Sequence, residues 1–236
     1  MRRLVSLAAC AWLVAPIPIA TGSHSLAALG NLVCYPAAFS EFATTRIDVT
    51  DQFGSRAAIV GRPTQLCVPA VVNGRPVVDS FANLTCHPIK LTLRASARMS
   101  VKTQQFGVLT ATLVRAIELC VPSSVATGGA LRPPPTTRDS FVCYSALPSG
   151  TFAVRTAAVS DRFAKTQDAV VRLTSLCLPA TVARSGPFQS QLLACYELRS
   201  VAKGSGPVIV RSRLALLQAS LSARNELCTP AIKLPA

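Results

Sequence analysis

The sequence predicts an all-β protein: four tandem disulfide-stapled β repeats of about 50 residues, packed as sandwich-like or pseudo-symmetric sheet modules. Three observations predict it. Eight cysteines recur in a fourfold beat, the residues between them alternate apolar and polar, and the apolar runs are short, β-branched and bounded by turn residues.

Each repeat opens with a cysteine followed by a ring, at Cys34-Tyr35, Cys86-His87, Cys143-Tyr144 and Cys195-Tyr196. Each closes with Leu-Cys-x-Pro, with the second cysteine at Cys67, Cys120, Cys177 and Cys228. The two cysteines of a repeat stand 33, 34, 34 and 33 positions apart, which assigns repeats to residues 31–80, 83–135, 141–190 and 192–236. A third anchor, Phe53, Phe106, Phe163 or Leu214, lies fourteen positions before each closing cysteine, and Phe42 and Phe152 precede theirs by eleven. Fixed spacing of apolar anchors means that each repeat fills an equivalent pocket with the same kind of side chain.

The elements follow in order. The opening cysteine marks a first strand, as in Asn31 to Tyr35 or Leu192 to Tyr196. In the middle of repeat one, Ile47, Val49 and Phe53 alternate with Arg46, Asp48 and Gln52; in repeat three, Ala157, Val159 and Phe163 alternate with Ala158, Ser160 and Arg162. Period two turns one set to a core and the other to solvent. Further strands are expected at Ala57 to Val60, Leu109 to Val114 and Ala169 to Leu173. Leu214, Leu217 and Leu221 have helical spacing, but the other three copies argue for a strand there. The proline of Leu-Cys-x-Pro cannot donate to a ladder, so it is expected to end the last strand two residues after the cysteine. The connector from Ser123 to Ser140, with Gly128-Gly129 and Pro133-Pro134-Pro135, is expected to be an exposed, semi-rigid excursion and the site of proteolysis or insertion.

Residues 1–22 have the pattern of a secretory signal: Arg2 and Arg3, an apolar stretch from Leu4 to Ala20, then Ala20-Thr21-Gly22. Pro16 and Pro18 argue against a membrane-spanning helix in that stretch. Leu7-Ala8-Ala9-Cys10 matches a lipoprotein box, but the apolar run before it is too short for a normal signal. Export places the mature chain in the periplasm or outside the cell, with no membrane span expected, and removes Cys10. The eight cysteines left are an even number bound for an oxidising compartment, the condition for a disulfide framework. Repeat symmetry leaves two pairings. In one, each repeat closes on itself: Cys34 with Cys67, Cys86 with Cys120, Cys143 with Cys177, Cys195 with Cys228. In the other, Cys67 joins Cys86, Cys120 joins Cys143, Cys177 joins Cys195, and Cys34 with Cys228 closes the ends. The first needs no ring closure and lets a repeat duplicate without an orphan thiol; spacing alone leaves both open.

Half of the residues are hydrophobic and mean hydropathy is +0.41, which excludes a disordered chain. The formal net charge of +14 is carried by 24 Lys and Arg against 10 Asp and Glu. The cations are spread over all four repeats, and only Arg211-Ser212-Arg213 approaches a cluster. That spread favours solvated side chains on sheet surfaces over a dedicated polyanion site; no partner is assigned, an anionic cell-surface polymer and another envelope protein are the candidates, and nucleic acid is not expected.

Catalytic residue types are scarce. There are two histidines: His24 lies near the cleavage point, and His87 stands where the other repeats have Tyr, as a structural ring. Asp51 and Asp161 occupy equivalent positions, but Gln104 and Ser212 replace them in the other repeats. They are expected to be turn residues bonding the local backbone, not a repeated metal site. No Cys-x-x-Cys spacing suggests zinc, and Thr127-Gly128-Gly129-Ala130 lacks the Gly-Lys of a phosphate loop. The sequon Asn83-Leu84-Thr85 adjoins Cys86, where a buried strand edge is expected. No catalytic, cofactor-binding or metal residue is therefore assigned, no cofactor is expected, and the eight cysteines are assigned as structural.

Cys34-Tyr35, Asp51-Gln52-Phe53 and Leu66-Cys67-Val68-Pro69 together resemble a family of uncharacterised secreted bacterial repeat proteins, a domain of unknown function. The likeness runs in weakened form from about Asn31 to the C-terminus: repeat three keeps Asp161-Arg162-Phe163, repeat two has Gln104-Gln105-Phe106 with one extra residue, and repeat four has Ser212-Arg213-Leu214. The resemblance implies an exported, β-rich, disulfide-stapled module and brings no activity with it. The function expected is an exported, non-enzymatic binding or structural module of the bacterial envelope or extracellular space. The alternative is a secreted inhibitor using Leu131 to Thr137 as its reactive segment, or a hydrolase using Asp51 or Asp161; a third option is a binder of anionic polymers.

Overall fold

The computed structural model describes residues 29–91, 96–135, 139–182 and 191–235, and none of these is helical. The signal expected over 1–22, with Cys10 and His24, lies outside the described residues. Among the described residues, no helix is long and apolar enough to cross a membrane.

Every repeat follows the same path: a central strand, a hairpin thrown outward, and a second central strand. Repeat one consists of β1 (Leu32–Phe39), the hairpin β2 (Thr45–Asp51) and β3 (Gly54–Val60), then β4 (Gln65–Pro69) and a short β5 (Val71–Val72). Repeat two has β6 (Asn83–Leu91), β7 (Ala97–Thr103) and β8 (Gly107–Ala126), the last serving as both hairpin strand and closing strand. Repeat three repeats that plan with β9 (Ser140–Pro148), β10 (Arg155–Ser160) and β11 (Lys165–Val182). Repeat four has β12 (Gln191–Arg199), β13 (Pro207–Ser212), β14 (Leu216–Leu221) and β15 (Glu226–Lys233). Leu214 to Arg224 thus contains a strand, as its sister repeats required.

The opening and closing strands join edge to edge in the order β1, β4, β6, β8, β9, β11, β12, β15 and back to β1, every pair antiparallel. The result is a closed eight-stranded barrel, which leaves no sheet edge exposed in the central ring. Inside a repeat the register is level: Cys34 faces Cys67, Cys86 faces Cys120, Cys143 faces Cys177 and Cys195 faces Cys228. Between repeats it slips by two residues, so that Cys67 faces Leu84 while Cys86 faces Gln65, and likewise at the other three joins. Eight strands with a stagger of this kind enclose a space just wide enough for side chains to fill.

The hairpins wrap this barrel. The first strand of each pairs with the extension of the closing strand two repeats away: β2 with β11, β7 with β15, β10 with β5 and β13 with β8. The second strand pairs with the opening strand of the next repeat: β3 with β6, β8 with β9, β11 with β12 and β14 with β1. In β8 and β11 the turn from hairpin into barrel is absorbed by register shifts between Leu113 and Glu118 and between Val170 and Ser175. The four repeats therefore interleave in one structure, each burying its apolar face against two others, which a unit of about 50 residues cannot do alone.

The prolines correct one expectation. Pro69 ends β4, but β8, β11 and β15 run through Pro122, Pro179 and Pro230. Beyond the proline these strands take a new partner, a hairpin from two repeats away, and the chain stays extended.

Because the barrel strands are covered on both faces, they are buried on both. Leu32, Leu84, Phe141, Leu193 and the eight cysteines line the lumen, and Val33, Tyr35, Leu66, Val68, Tyr144, Leu176 and Tyr196 form an outer core beneath the hairpins.

Candidate functional site

Two sets of side chains concentrate the chemistry: a belt inside the lumen and four ring pockets outside the barrel wall. In the belt, disulfides join Cys34 to Cys67, Cys86 to Cys120, Cys143 to Cys177 and Cys195 to Cys228, which settles the pairing in favour of bonds within repeats. The second pairing is nonetheless next door. Across the four joins between repeats, sulfur stands from sulfur by 4.0 Å (Cys34 to Cys228), 3.8 Å (Cys67 to Cys86), 3.7 Å (Cys120 to Cys143) and 3.6 Å (Cys177 to Cys195). The level register within repeats and the two-residue slip between them bring all eight sulfurs into one continuous ring.

Two residues before each closing cysteine, alternation turns Gln65, Glu118, Ser175 and Glu226 to the same lumen face. The Glu118 carboxyl lies within 4.8 Å of the sulfurs of Cys86 and Cys120, and that of Glu226 within the same reach of Cys34 and Cys228. Burial pushes Glu118 up to about 7, and the negative charge of Glu226 adds to the rise. Burial also raises Glu226, against a 2.8 Å hydrogen bond from the Thr174 hydroxyl. With both sulfurs in disulfides, neither group presents a thiolate to a metal ion.

Outside the wall, the three tyrosines of the Cys-ring motifs point away from the lumen, and a hairpin tip from two repeats away covers each. Phe53 of repeat one lies edge-on to Tyr144 of repeat three at 5.3 Å, and Phe163 of repeat three returns the contact on Tyr35 of repeat one at 5.5 Å. Phe106 of repeat two packs on Tyr196 of repeat four at 4.5 Å. Phe53, Phe106 and Phe163 do fill equivalent pockets, but each pocket belongs to another repeat. Phe42 and Phe152 fill a second site in the next repeat, against His87 at 5.0 Å and Tyr196 at 5.3 Å.

Asp51 and Asp161 are turn residues, as expected: each accepts from the backbone N–H of Phe53 or Phe163, at 2.8 and 2.6 Å. They also do something the repeat pattern does not reveal. Tyr35 donates its hydroxyl to Asp161 at 2.7 Å, and Tyr144 donates to Asp51. Arg56 clamps the second pocket, at 2.7 Å from Asp51 and 2.9 Å from the Tyr144 hydroxyl. In the first, Arg224, 1% exposed, lies 2.9 Å from Asp161 and 2.7 Å from Asp168, and donates to the Val159 carbonyl and the Thr166 hydroxyl. Burial first, then the hydrogen bond to the carboxylate, raises both tyrosines well above the usual phenol range.

The other two pockets lack the acid. In repeat four Ser212 replaces it as turn acceptor, taking the N–H of Leu214 at 3.1 Å; in repeat two the acceptor is Thr103, one residue before Gln104, which accommodates the extra residue there. His87 is fully buried, its Nδ1 is 2.9 Å from the Gly61 carbonyl, and burial lowers it below its usual value, which keeps it a neutral structural ring. The Tyr196 hydroxyl is buried with the Thr103 hydroxyl as a polar neighbour but with no well-formed hydrogen bond.

Asn83 is 2% exposed in β6, a buried strand position as the sequence suggested. The Ser123 to Ser140 connector begins as strand to Ala126 and is exposed over Gly128, Gly129 and Ala130; Arg132 then lies over the Phe81 ring at 5.0 Å. Residues 136 and 137 of the Leu131 to Thr137 segment lie outside the described residues. Sequence reasoning missed Arg56, Asp168, Arg224, Glu118 and Glu226. The glutamates alone left a signal, recurring two places before the closing cysteine in repeats two and four.

Open grooves mark the outer surface of the described residues. One of about 540 Å³ is lined by Val71, Gly74, Val159, Lys165 and Gln167, and one of about 230 Å³ by Phe106, Pro148, Phe152 and Arg155. No family model, curated protein or solved structure matches the chain.

Proposed function

We propose that the protein is an exported, non-catalytic binding or structural module of the bacterial envelope or extracellular space, with an anionic cell-surface polymer as its partner. One observation carries this reading: the side chains with chemical potential are committed to one another. The eight sulfurs close the lumen, Asp51 and Asp161 hold tyrosines and arginines, and His87 is a neutral ring in a wall. Arg46, Arg98, Arg155 and Lys203, one from each repeat's hairpin region, remain exposed on the outer shell, and the chain carries a net charge of +14. Cations on every side of a rigid barrel suit a polyanion that wraps or bridges copies.

The test is retention of the secreted protein on immobilised polygalacturonate against neutral dextran. Retention on the acidic polymer alone, falling steeply with salt, is expected; equal passage through both removes the polyanion. Turnover of ester, glycoside or peptide substrates that disappears in Asp51→Ala or Asp161→Ala would overturn the non-catalytic reading.

A further inference from the structure

Disulfides are ordinarily insulated from one another by the core, and here four of them are not. Each sulfur has its bonded partner on one side and a sulfur of the next repeat on the other, at 3.6 to 4.0 Å. All eight cysteines are 4% exposed or less, so the belt faces itself rather than solvent. A sulfur–sulfur bond is about 2.0 Å long, so exchanging one neighbour for the other closes a gap of about 1.5–2 Å, a side-chain rotation with no change of strand register.

We propose that the belt is an exchange ring, in which an unpaired thiolate passes from repeat to repeat by successive thiol–disulfide exchange while the barrel stays folded. Consider a thiolate at Cys34. Its sulfur attacks Cys228; the Cys34–Cys228 bond forms, the Cys195–Cys228 bond breaks, and its electron pair leaves on Cys195 as a new thiolate. Cys195, 3.6 Å from Cys177, repeats the step and releases Cys143, which attacks Cys120 at 3.7 Å and releases Cys86. Each step makes one sulfur–sulfur bond and breaks one, with no net oxidation. The starting thiolate comes from loss of a partner or from two-electron reduction of one disulfide by a small dithiol.

The ring converts pairing within repeats into pairing between repeats in place. A barrel oxidised with the wrong neighbours can therefore correct itself without opening its hairpins, and damage to one cysteine is shared by all four repeats. This inference stands independently of the binding reading.

Cys67→Ser strands Cys34. The folded variant is held at pH 8, quenched in acid, alkylated in denaturant and mapped by non-reducing peptide analysis. Most of the label is expected on Cys195, Cys143 and Cys86, with the new linkages Cys34–Cys228, Cys177–Cys195 and Cys120–Cys143, at a rate independent of protein concentration and over minutes to hours. Label confined to Cys34, with the other three disulfides intact, overturns the proposal. If Cys67→Ser does not fold, the native protein treated with less than one equivalent of dithiol until it carries free thiol decides: new linkages between adjacent repeats, and no other new ones, uphold it. Unchanged pairing, or linkages between sulfurs not adjacent on the belt such as Cys34–Cys143, overturn it.

Discussion

Repeats one and three differ from repeats two and four in where they keep their acids. The first pair places Asp51 and Asp161 outside the wall, at the hairpin tips, and neutral Gln65 and Ser175 in the lumen. The second pair does the reverse: Glu118 and Glu226 face the lumen, and the hairpin tips carry Thr103 and Ser212. The outer pockets follow suit, with Tyr–Asp–Arg networks over Tyr35 and Tyr144 and aromatic contacts without a carboxylate around His87 and Tyr196; beside Tyr196, Arg155 lies over the Phe106 and Phe152 rings. The fourfold pattern of cysteines thus carries a twofold pattern of charge. Repeats one and three cap each other's tyrosine through Phe53 and Phe163, while the counter-charge of Asp51 comes from Arg56 of its own repeat and that of Asp161 from Arg224 of the adjacent one.

The sharpest way to break this contrast is to remove the cation that closes the repeat-one pocket. Arg224→Ala leaves Asp161 and Asp168 buried without their ion-pair partner and is expected to destabilise by about 3–5 kcal/mol in chemical denaturation. A loss under about 1 kcal/mol would mean that the network contributes little, and that the two classes of pocket are energetically alike.

A smaller effect tests the tyrosines directly. Tyr35→Phe takes the donor from Asp161 and is expected to lower stability by about 1–3 kcal/mol, whereas Tyr196→Phe removes a hydroxyl that makes no well-formed hydrogen bond to its neighbour Thr103 and should be close to neutral, within about 0.5 kcal/mol. Equal losses in the two variants would erase the distinction.

The lumen should show the opposite asymmetry through pH. Glu118 is raised from 4.5 to about 7 in the folded protein, so its protonated form is favoured there. Its contribution to stability is therefore full below about 4.5 and fades as pH rises through about 7. In thermal melts Glu118→Gln should lose less stability than the parent between pH 4.5 and 8, and Gln65→Glu, which gives repeat one a lumen acid, should lose more. Parallel pH profiles for all three proteins would separate the lumen carboxyls from stability.

Much of this was legible in the chain. Alternation of Ile47, Val49 and Phe53 against Arg46, Asp48 and Gln52 marked hairpin strands because a pleated strand has period two. The spacing of Cys34 and Cys67 narrowed the disulfides to two patterns. Local spacing did not reveal that Phe53 caps Tyr144, or that Arg224 neutralises Asp161: these partners lie 91 and 63 residues apart and meet only once the ring has closed. Nor could it say that β8 runs on through Pro122, because the strand that receives the extension, β13, comes from another repeat.

By itself, then, the sequence determined the strands, the fourfold period and which residues share a face, since these follow from backbone geometry over a few residues. The tertiary structure alone decided how the repeats interleave and which acids meet which rings. It also decided that eight sulfurs form one belt, because each of these depends on the stagger at which antiparallel strands close a barrel.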